Sequence, residues 1–284
     1  MNINLDNNNP IGKKNIAIYA VAIAVCILAL VVVACIIVLG NDFTNSIFGI
    51  KNKEMKTEEE EAKLIAEFDT LFNNNVQYGN NSIEIKKKDT DKETIYTGYE
   101  KKENDAGNYD IDLKIPYINI DLPGIEEYNQ EIYDIFQAKA ESVLASENKN
   151  IIYTLEYQAY IEDNILSLII RSTLKQGSQP QQVVVQTYNY DLENQKGITL
   201  KDEISHLNLN EEEVQNKIRT EIQEEQEQAE SLQELGYTIF SRDVNSDIYN
   251  IDNTSLFFVH NENLYIIYAY GNDALTSEMD IIVI

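Results

Sequence analysis

The sequence predicts an α+β domain, a mostly antiparallel sheet with two packed helices, set behind an N-terminal transmembrane helix. Three observations predict it. An apolar run covers Ile16–Leu39, period-two alternation recurs between Tyr109 and Ile284, and two long segments in that stretch carry apolar residues at helical spacing. Helices lying on mostly antiparallel sheet are the architecture such a mixture forms.

From Ile16 to Leu39 every residue is apolar except the mildly polar Tyr19 and the two cysteines. A helix of that length spans about 36 Å, slightly more than a bilayer's hydrocarbon core, and it satisfies its own backbone groups there. A cleaved signal peptide has a shorter apolar core and a small-residue cleavage site, so this run reads as an uncleaved signal anchor. Val32-Val33-Ala34-Cys35 fits a loose lipoprotein consensus, but Ile36–Leu39 follow where a lipoprotein turns polar. Residues 16–39 then form a single membrane pass, with residues 1–15 as a tail on one side of the membrane and the C-terminal domain on the other. Charge alone leaves that orientation nearly balanced, with Lys13 and Lys14 before the span and Lys51, Lys53 and Lys56 after it.

Residues 40–108 read as a juxtamembrane stalk and connector. Thr57 and Glu60 form a capping-box pair opening a helix with Leu64, Ile65, Phe68, Leu71 and Phe72 on one face. Ser82–Ile85 and Thr94–Thr97 are short strand-like runs that suit a hairpin. The first half of the main domain, 109–182, opens with Tyr109, Ile111, Leu113 and Ile115 alternating with polar residues. A helix follows Pro123, and Ile151–Ile161 and Ile165–Leu174 pair across Glu162-Asp163-Asn164. The second half, 183–284, repeats strand, helix, hairpin. Val183–Leu192 and Ile198–Leu200 read as a hairpin, and Glu211–Leu235 as a helix capped by Asn210 and stopped at Gly236. Leu256–His260 and Leu264–Tyr270 form a second hairpin, and Met279–Ile284 a last strand. Ile161–Leu166 looks like Val259–Leu264, so the domain reads as a divergent duplication.

The formal net charge of −26, from 48 acidic and 22 basic residues, argues against nucleic acid as a partner; it serves to keep the domain soluble, or would attract a cationic protein or metal ions. Up to Gly40 only Asp6, Lys13 and Lys14 are charged, so the acidic excess falls on the rest. Disorder is not expected, because 43% of residues are hydrophobic and 18 are tyrosines. Both cysteines, Cys26 and Cys35, lie in the apolar run. The ectodomain therefore has no disulfide, thiolate metal site or cysteine nucleophile.

Ile115-Pro116, Tyr128-Asn129, Tyr188-Asn189-Tyr190-Asp191-Leu192 and Gly197-Ile198-Thr199-Leu200-Lys201-Asp202 carry a resemblance. The stretch from Tyr109 to Ile284 resembles the extracytoplasmic domain of RsiV-type anti-sigma factors and the accessory module of PdaC-type peptidoglycan deacetylases. The resemblance implies a cell-envelope domain of Gram-positive bacteria, with residues 1–15 as a cytoplasmic tail and the C-terminal domain extracytoplasmic at the cell membrane; some members bind host lysozyme. About 15 residues precede the span, so it extends to neither the cytoplasmic sigma-binding domain nor the deacetylase domain. Ala274 and Leu275 stand where lysozyme-binding members carry a Pro-Tyr pair, and no binding residue is carried over.

No nucleophile elbow, P-loop, dinucleotide fingerprint or zinc-helix motif appears. His206 and His260 read as ordinary histidines. Asp243-Val244-Asn245-Ser246-Asp247 begins like a calcium loop, but Ile248 replaces the turn glycine and Thr254 the bidentate Glu. The sequence thus singles out no catalytic, cofactor-binding or metal-ligating residue. Tyr153, Tyr157, Tyr188, Tyr190, Tyr265, Tyr268 and Tyr270 fall on predicted strands, where tyrosine serves either packing or recognition. The expectation is an envelope protein that binds a cationic protein or peptidoglycan rather than catalyses. The alternatives are a carboxylate-dependent cell-wall hydrolase and a structural envelope subunit assembled through the 57–72 helix.

Overall fold

The computed structural model describes residue 53 and residues 55–105, 109–145, 150–272 and 276–284. The tail at 1–15 and the expected span at 16–39 lie outside them. The fold is α+β, with mostly antiparallel sheet.

The larger sheet has seven strands, and its backbone order is β2-β3-β4-β5-β6-β7. These are β2 (Ile95–Asp105), β3 (Tyr109–Ile118), β4 (Ile151–Glu162), β5 (Ile165–Gln176), β6 (Gln182–Asp191) and the short β7 (Lys196–Gly197). Neighbours pair antiparallel except β3 with β4 and β1 with β4, which run parallel. A parallel pair needs a crossover. It is supplied by α2 (Ile125–Ile132), a π turn (Tyr133–Gln137) and α3 (Ala138–Leu144). β1 (Val76–Tyr78) lies along the same edge of β4 as β3, beyond the point where β3 leaves it. Asn74 fills the gap between them: its backbone N–H donates to Tyr157 O at 2.9 Å and its Oδ1 accepts from Tyr157 N at 3.1 Å.

A second sheet, β10-β9-β8, consists of β8 (Phe257–His260), β9 (Asn263–Ala269) and β10 (Met279–Val283). Between β7 and β8 come α4 (Leu200–His206) and the long α5 (Glu211–Glu234). The strand period sorts the apolar residues into layers. Tyr153, Leu155 and Tyr157 of β4 face α2 and α3, where Ile132, Phe136 and Ala140 pack. Tyr160, Ile169 and Val185 point the other way, onto Phe258, Tyr265 and Ile267 of the small sheet. The small sheet's opposite face, with Leu264, Ile266 and Tyr268, packs on Val214, Ile218 and Ile222 of α5. Helix, sheet, sheet and helix thus stack in four layers.

α1 (Glu58–Glu67) has the expected capping box, with Thr57 and Glu60 satisfying each other's backbone N–H. Phe68, Leu71 and Phe72 behind it are buried between the sheets. Glu61 accepts from Val283 N at 3.2 Å and pairs with Lys217 at 2.5 Å. Leu64 packs with Phe68, Leu71 and Phe72 while Ile65 is exposed, so most of the apolar face of this segment is covered within its own chain.

Two sequence readings are corrected. The strand-like run at Thr94–Thr97 opens β2 but pairs with β3 and not with Ser82–Ile85, and residues 98–105, read as connector, extend the same strand along an edge of the large sheet. Its Glu100, Lys101, Lys102 and Glu103 keep an open edge charged, which protects it from pairing with other chains. Ile198–Leu200 is not a strand. Pairing stops at Gly197, because Thr199 and Asp202 form a capping box that starts α4.

The two sheets meet along a seam in which side chains stand in for a strand. Val259 N donates to Ser167 Oγ at 2.9 Å, and Phe257 N to Thr187 Oγ1 at 3.2 Å. Phe257 O accepts from Asn189 Nδ2 at 2.8 Å, and Asn189 Oδ1 accepts from Ser167 Oγ at 2.6 Å. The free edge of β8 is satisfied by the face of the larger sheet. The repeated order β3–helix–β4–β5 and β6–helix–β8–β9 is present, but β6 reaches β8 through Thr187 and Asn189 where β3 reaches β4 by a backbone ladder.

Candidate functional site

Both hairpins that look alike in sequence close with two-residue loops. Asp163 and Asn164 have φ of 48° and 64°, and Asn261 and Glu262 have 49° and 60°. Positive φ at both loop positions is the I′ geometry whose twist matches paired strands. The structure brings the two turns to one place. Glu162, Asp163 and Ile165 from the first, and Val259 and Glu262 from the second, line a pocket of about 30 Å³ with Tyr160 and Ser167. Its remaining wall is α4, through Glu203, His206 and Leu207.

Glu203 lies at helical spacing with Leu200, Ile204 and Leu207 and so turns inward with them. It is 1% exposed, and its Oε2 is buried without a hydrogen-bond partner. Burial is the main cause that pushes its carboxyl up to about 7; Asp163, Asp191 and Asp202, all of its own sign, add to it. Glu162 is raised too, by burial first and then by Asp163 and Glu262. His206 is exposed at the pocket mouth. Next to the pocket His260 stacks on Tyr160, ring centroids 3.8 Å apart, with its Nδ1 buried and unpartnered. Burial lowers its imidazole to about 4.

A second concavity, about 370 Å³, lies between the crossover helix and the larger sheet. Asp134 and Ile135 of the π turn and Lys139 of α3 form one side; Tyr153, Ser172, Leu174 and Gln182 form the other. π turns re-aim side chains and recur at functional sites.

The motif residues that carry the resemblance have structural work. Asn129 clamps the end of β3, accepting from Ile118 N at 2.8 Å and donating to Ile118 O at 3.0 Å. Tyr128 Oη donates to Asn189 O at 3.2 Å, and a Cβ on Gly197 would meet that Oη at 2.6 Å. Tyr190 Oη donates to Pro123 O at 2.6 Å. Asp191 Oδ1 caps the turn, accepting from the N–H groups of Glu193 and Asn194. All seven tyrosines named above are buried and serve packing, and Tyr153 also lines the second concavity.

The calcium-like segment is a turn built on its own carboxylates: Asp243 Oδ1 accepts from Asn245 N and Asp247 Oδ1 from Asn250 Nδ2. Among the described residues no group of three or more His, Cys, Asp or Glu side chains is placed to hold a metal ion. A separate buried cluster fastens the segment after α5 to β10. Arg242 donates through Nε and Nη2 to Asp280 at 2.7 and 2.6 Å, and Tyr270 Oη donates to Asp280 Oδ2 at 2.5 Å. Tyr249 Oη lies 2.9 Å from Tyr270 Oη.

No family model matches the chain. No curated protein matches it either. Among solved structures it is similar to two DUF3298-family proteins. One, from Bacteroides fragilis, is 15% identical with a TM-score of 0.32, covering 56% of this chain and 61% of that one. The other, from Pseudomonas aeruginosa PAO1, is 12% identical with a TM-score of 0.36, covering 63% of this chain and 82% of that one. The chain thus spans under two thirds of the Bacteroides protein's length.

Proposed function

We propose that this is a membrane-anchored envelope protein whose extracytoplasmic domain binds a ligand and does not catalyse, held by the helix at 16–39. What supports the binding half is the groove beneath the π turn. At about 370 Å³ it has the size of a small-ligand site. Its lining combines one acid, Asp134, one base, Lys139, neutral hydrogen-bonding groups at Tyr153, Ser172 and Gln182, and apolar Leu174. Such a mixture suits a glycan–peptide fragment of the cell wall better than a densely charged ligand. The RsiV-like and PdaC-like motif residues support an envelope setting. A cationic protein is the second reading, favoured by the charge of −26.

Titration of the purified full chain with soluble muropeptides, and separately with lysozyme, tests the two. Asp134→Ala with Lys139→Ala should weaken muropeptide binding at least about fivefold, the loss of one or two polar contacts. Binding of neither probe, or muropeptide binding indifferent to the double substitution, overturns the groove reading. Because no cysteine follows Cys35, a single cysteine introduced on the ectodomain surface reports topology. Its labelling in intact cells by a membrane-impermeant maleimide is expected; protection until lysis would place the domain inside.

A further inference from the structure

We propose that the pocket between the two hairpin turns and α4 binds a primary alkylammonium group, with Glu203 as its counter-ion.

Glu203 is 1% exposed, and its Oε2 is buried with no hydrogen-bond partner among the described residues. A buried acid in that condition must take up either a proton or a cation. The charged groups around it are all acidic: Asp163 from the β4–β5 turn, Asp191 from the end of β6 and Asp202 from α4. Glu162 and Glu262 line the same pocket, and His206 stands exposed at its mouth. The pocket is therefore a concentration of negative charge around one unsatisfied oxygen, and what complements it is a small cation.

Size and lining narrow the class. About 30 Å³ holds one or two water-sized groups, enough for an ammonium and its last methylene. A planar guanidinium, which seeks bidentate partners, is a poorer match for one oxygen at the end of a narrow pocket. The carboxylates are not grouped as metal ligands. Ile165, Leu207 and Val259 supply an apolar wall along which alkyl carbons can lie, as lysine stems do on protein surfaces. Water alone would fill the space without compensating the charge.

Binding then exchanges one cation for another. Where the carboxyl is protonated, an entering ammonium displaces that proton to solvent, and where it is ionised no proton is released. The raised carboxyl, near 7, sets the crossover. The ammonium can come from a free amine or from the lysine of a polypeptide. The pocket shares no lining residue with the groove under the π turn, so failure here leaves that reading untouched.

The test is calorimetric titration of the full chain in amine-free buffers of different ionisation enthalpy, with n-butylammonium and with Nα-acetyl-lysine N-methylamide as probes. Tetramethylammonium, the blocked arginine analogue and n-butanol are controls. The expected result is binding of at least one primary ammonium, with proton release at pH 6 that vanishes at pH 8.5, and at least about tenfold weaker binding by Glu203→Gln, the effect of losing one charge-assisted hydrogen bond. Preference for the butyl probe assigns a free amine, and preference for the lysine probe a polypeptide. Equal binding of n-butanol, no binding of either ammonium, or proton release that is the same at both pH values overturns the proposal. The proton count is read on the unsubstituted chain, so it stands even if Glu203→Gln fails to fold.

Discussion

Replacing Glu203 with Gln should stabilise the protein at alkaline pH and leave it nearly unchanged at acid pH. In the folded chain the carboxyl is held near 7 against an ordinary 4.5. At about 1.36 kcal/mol per pH unit, that difference corresponds to roughly 3 kcal/mol. Below pH 4.5 the group is protonated whether the chain is folded or not, and it carries no penalty. Between 4.5 and 7 the folded chain holds the proton more tightly, so stability falls as pH rises through this window. Above 7 the whole cost is in place. Glutamine fills the same volume and cannot ionise, although its amide also enters a site without partners, which offsets part of the gain. The expected difference in unfolding free energy is about 1–3 kcal/mol in favour of the variant at pH 8, shrinking to under about 1 kcal/mol at pH 5. Urea unfolding in phosphate buffer, free of amines, gives both numbers. The general repulsion of an acidic chain changes with pH as well, but it is common to both proteins and cancels in the difference. An identical offset at the two pH values, or a variant less stable at pH 8, would refute the burial argument.

The buried pair at β10 should behave in the opposite sense. Arg242→Met leaves Asp280 enclosed without its cation and should cost about 3–5 kcal/mol in urea unfolding, with much of it regained in the Arg242→Met, Asp280→Leu double variant. Gly271→Ala places a Cβ 2.1 Å from Val183 O and 2.6 Å from Thr276 O, both backbone atoms that cannot swing away. A loss of at least about 2 kcal/mol is expected, seen as a lowered melting temperature. The imidazole of His260 should titrate near 4 by NMR. Since burial depresses it, its contribution to stability is complete above pH 6.5 and fades as pH falls towards 4. A midpoint at 6 or above would show that the stack on Tyr160 is open to water.

What the sequence made legible depended on local chemistry. The hairpins at 161–166 and 259–264 stood out because a polar pair interrupts two alternating runs, and the I′ turns confirm that signal. The helix from Glu211 was bounded by its own cap at Asn210. Only the start of β2, at Thr94–Thr97, was legible, because an edge strand defends itself with charge and Glu100 to Asp105 therefore has the composition of a connector. Ile198–Leu200 looked like a strand by composition, and the Thr199–Asp202 cap overruled it. The pocket at Glu203 was illegible as a site because three segments distant in sequence build it. One signal was nevertheless present: Leu200, Glu203, Ile204 and Leu207 share a helical face, and an acid within an apolar stripe marks a buried charge. The groove under the π turn left no comparable trace, since a π turn differs from an α turn by one hydrogen-bond register and not by composition.

Ser167, Thr187 and Asn189 are small polar residues on the inner face of a sheet, where a valine would pack as well by size alone. Their position makes them guards. With them in place the N–H groups of Phe257 and Val259 and the carbonyl of Phe257 are already bonded, although β8 is a terminal strand by topology. Replacing them with isosteric apolar residues would leave the cores filled and yet free the N–H groups of Phe257 and Val259 and the carbonyl of Phe257 to seek another strand. The cost of such a change would therefore appear in self-association at high protein concentration before it appeared in the melting temperature. These three side chains would therefore protect solubility more than stability.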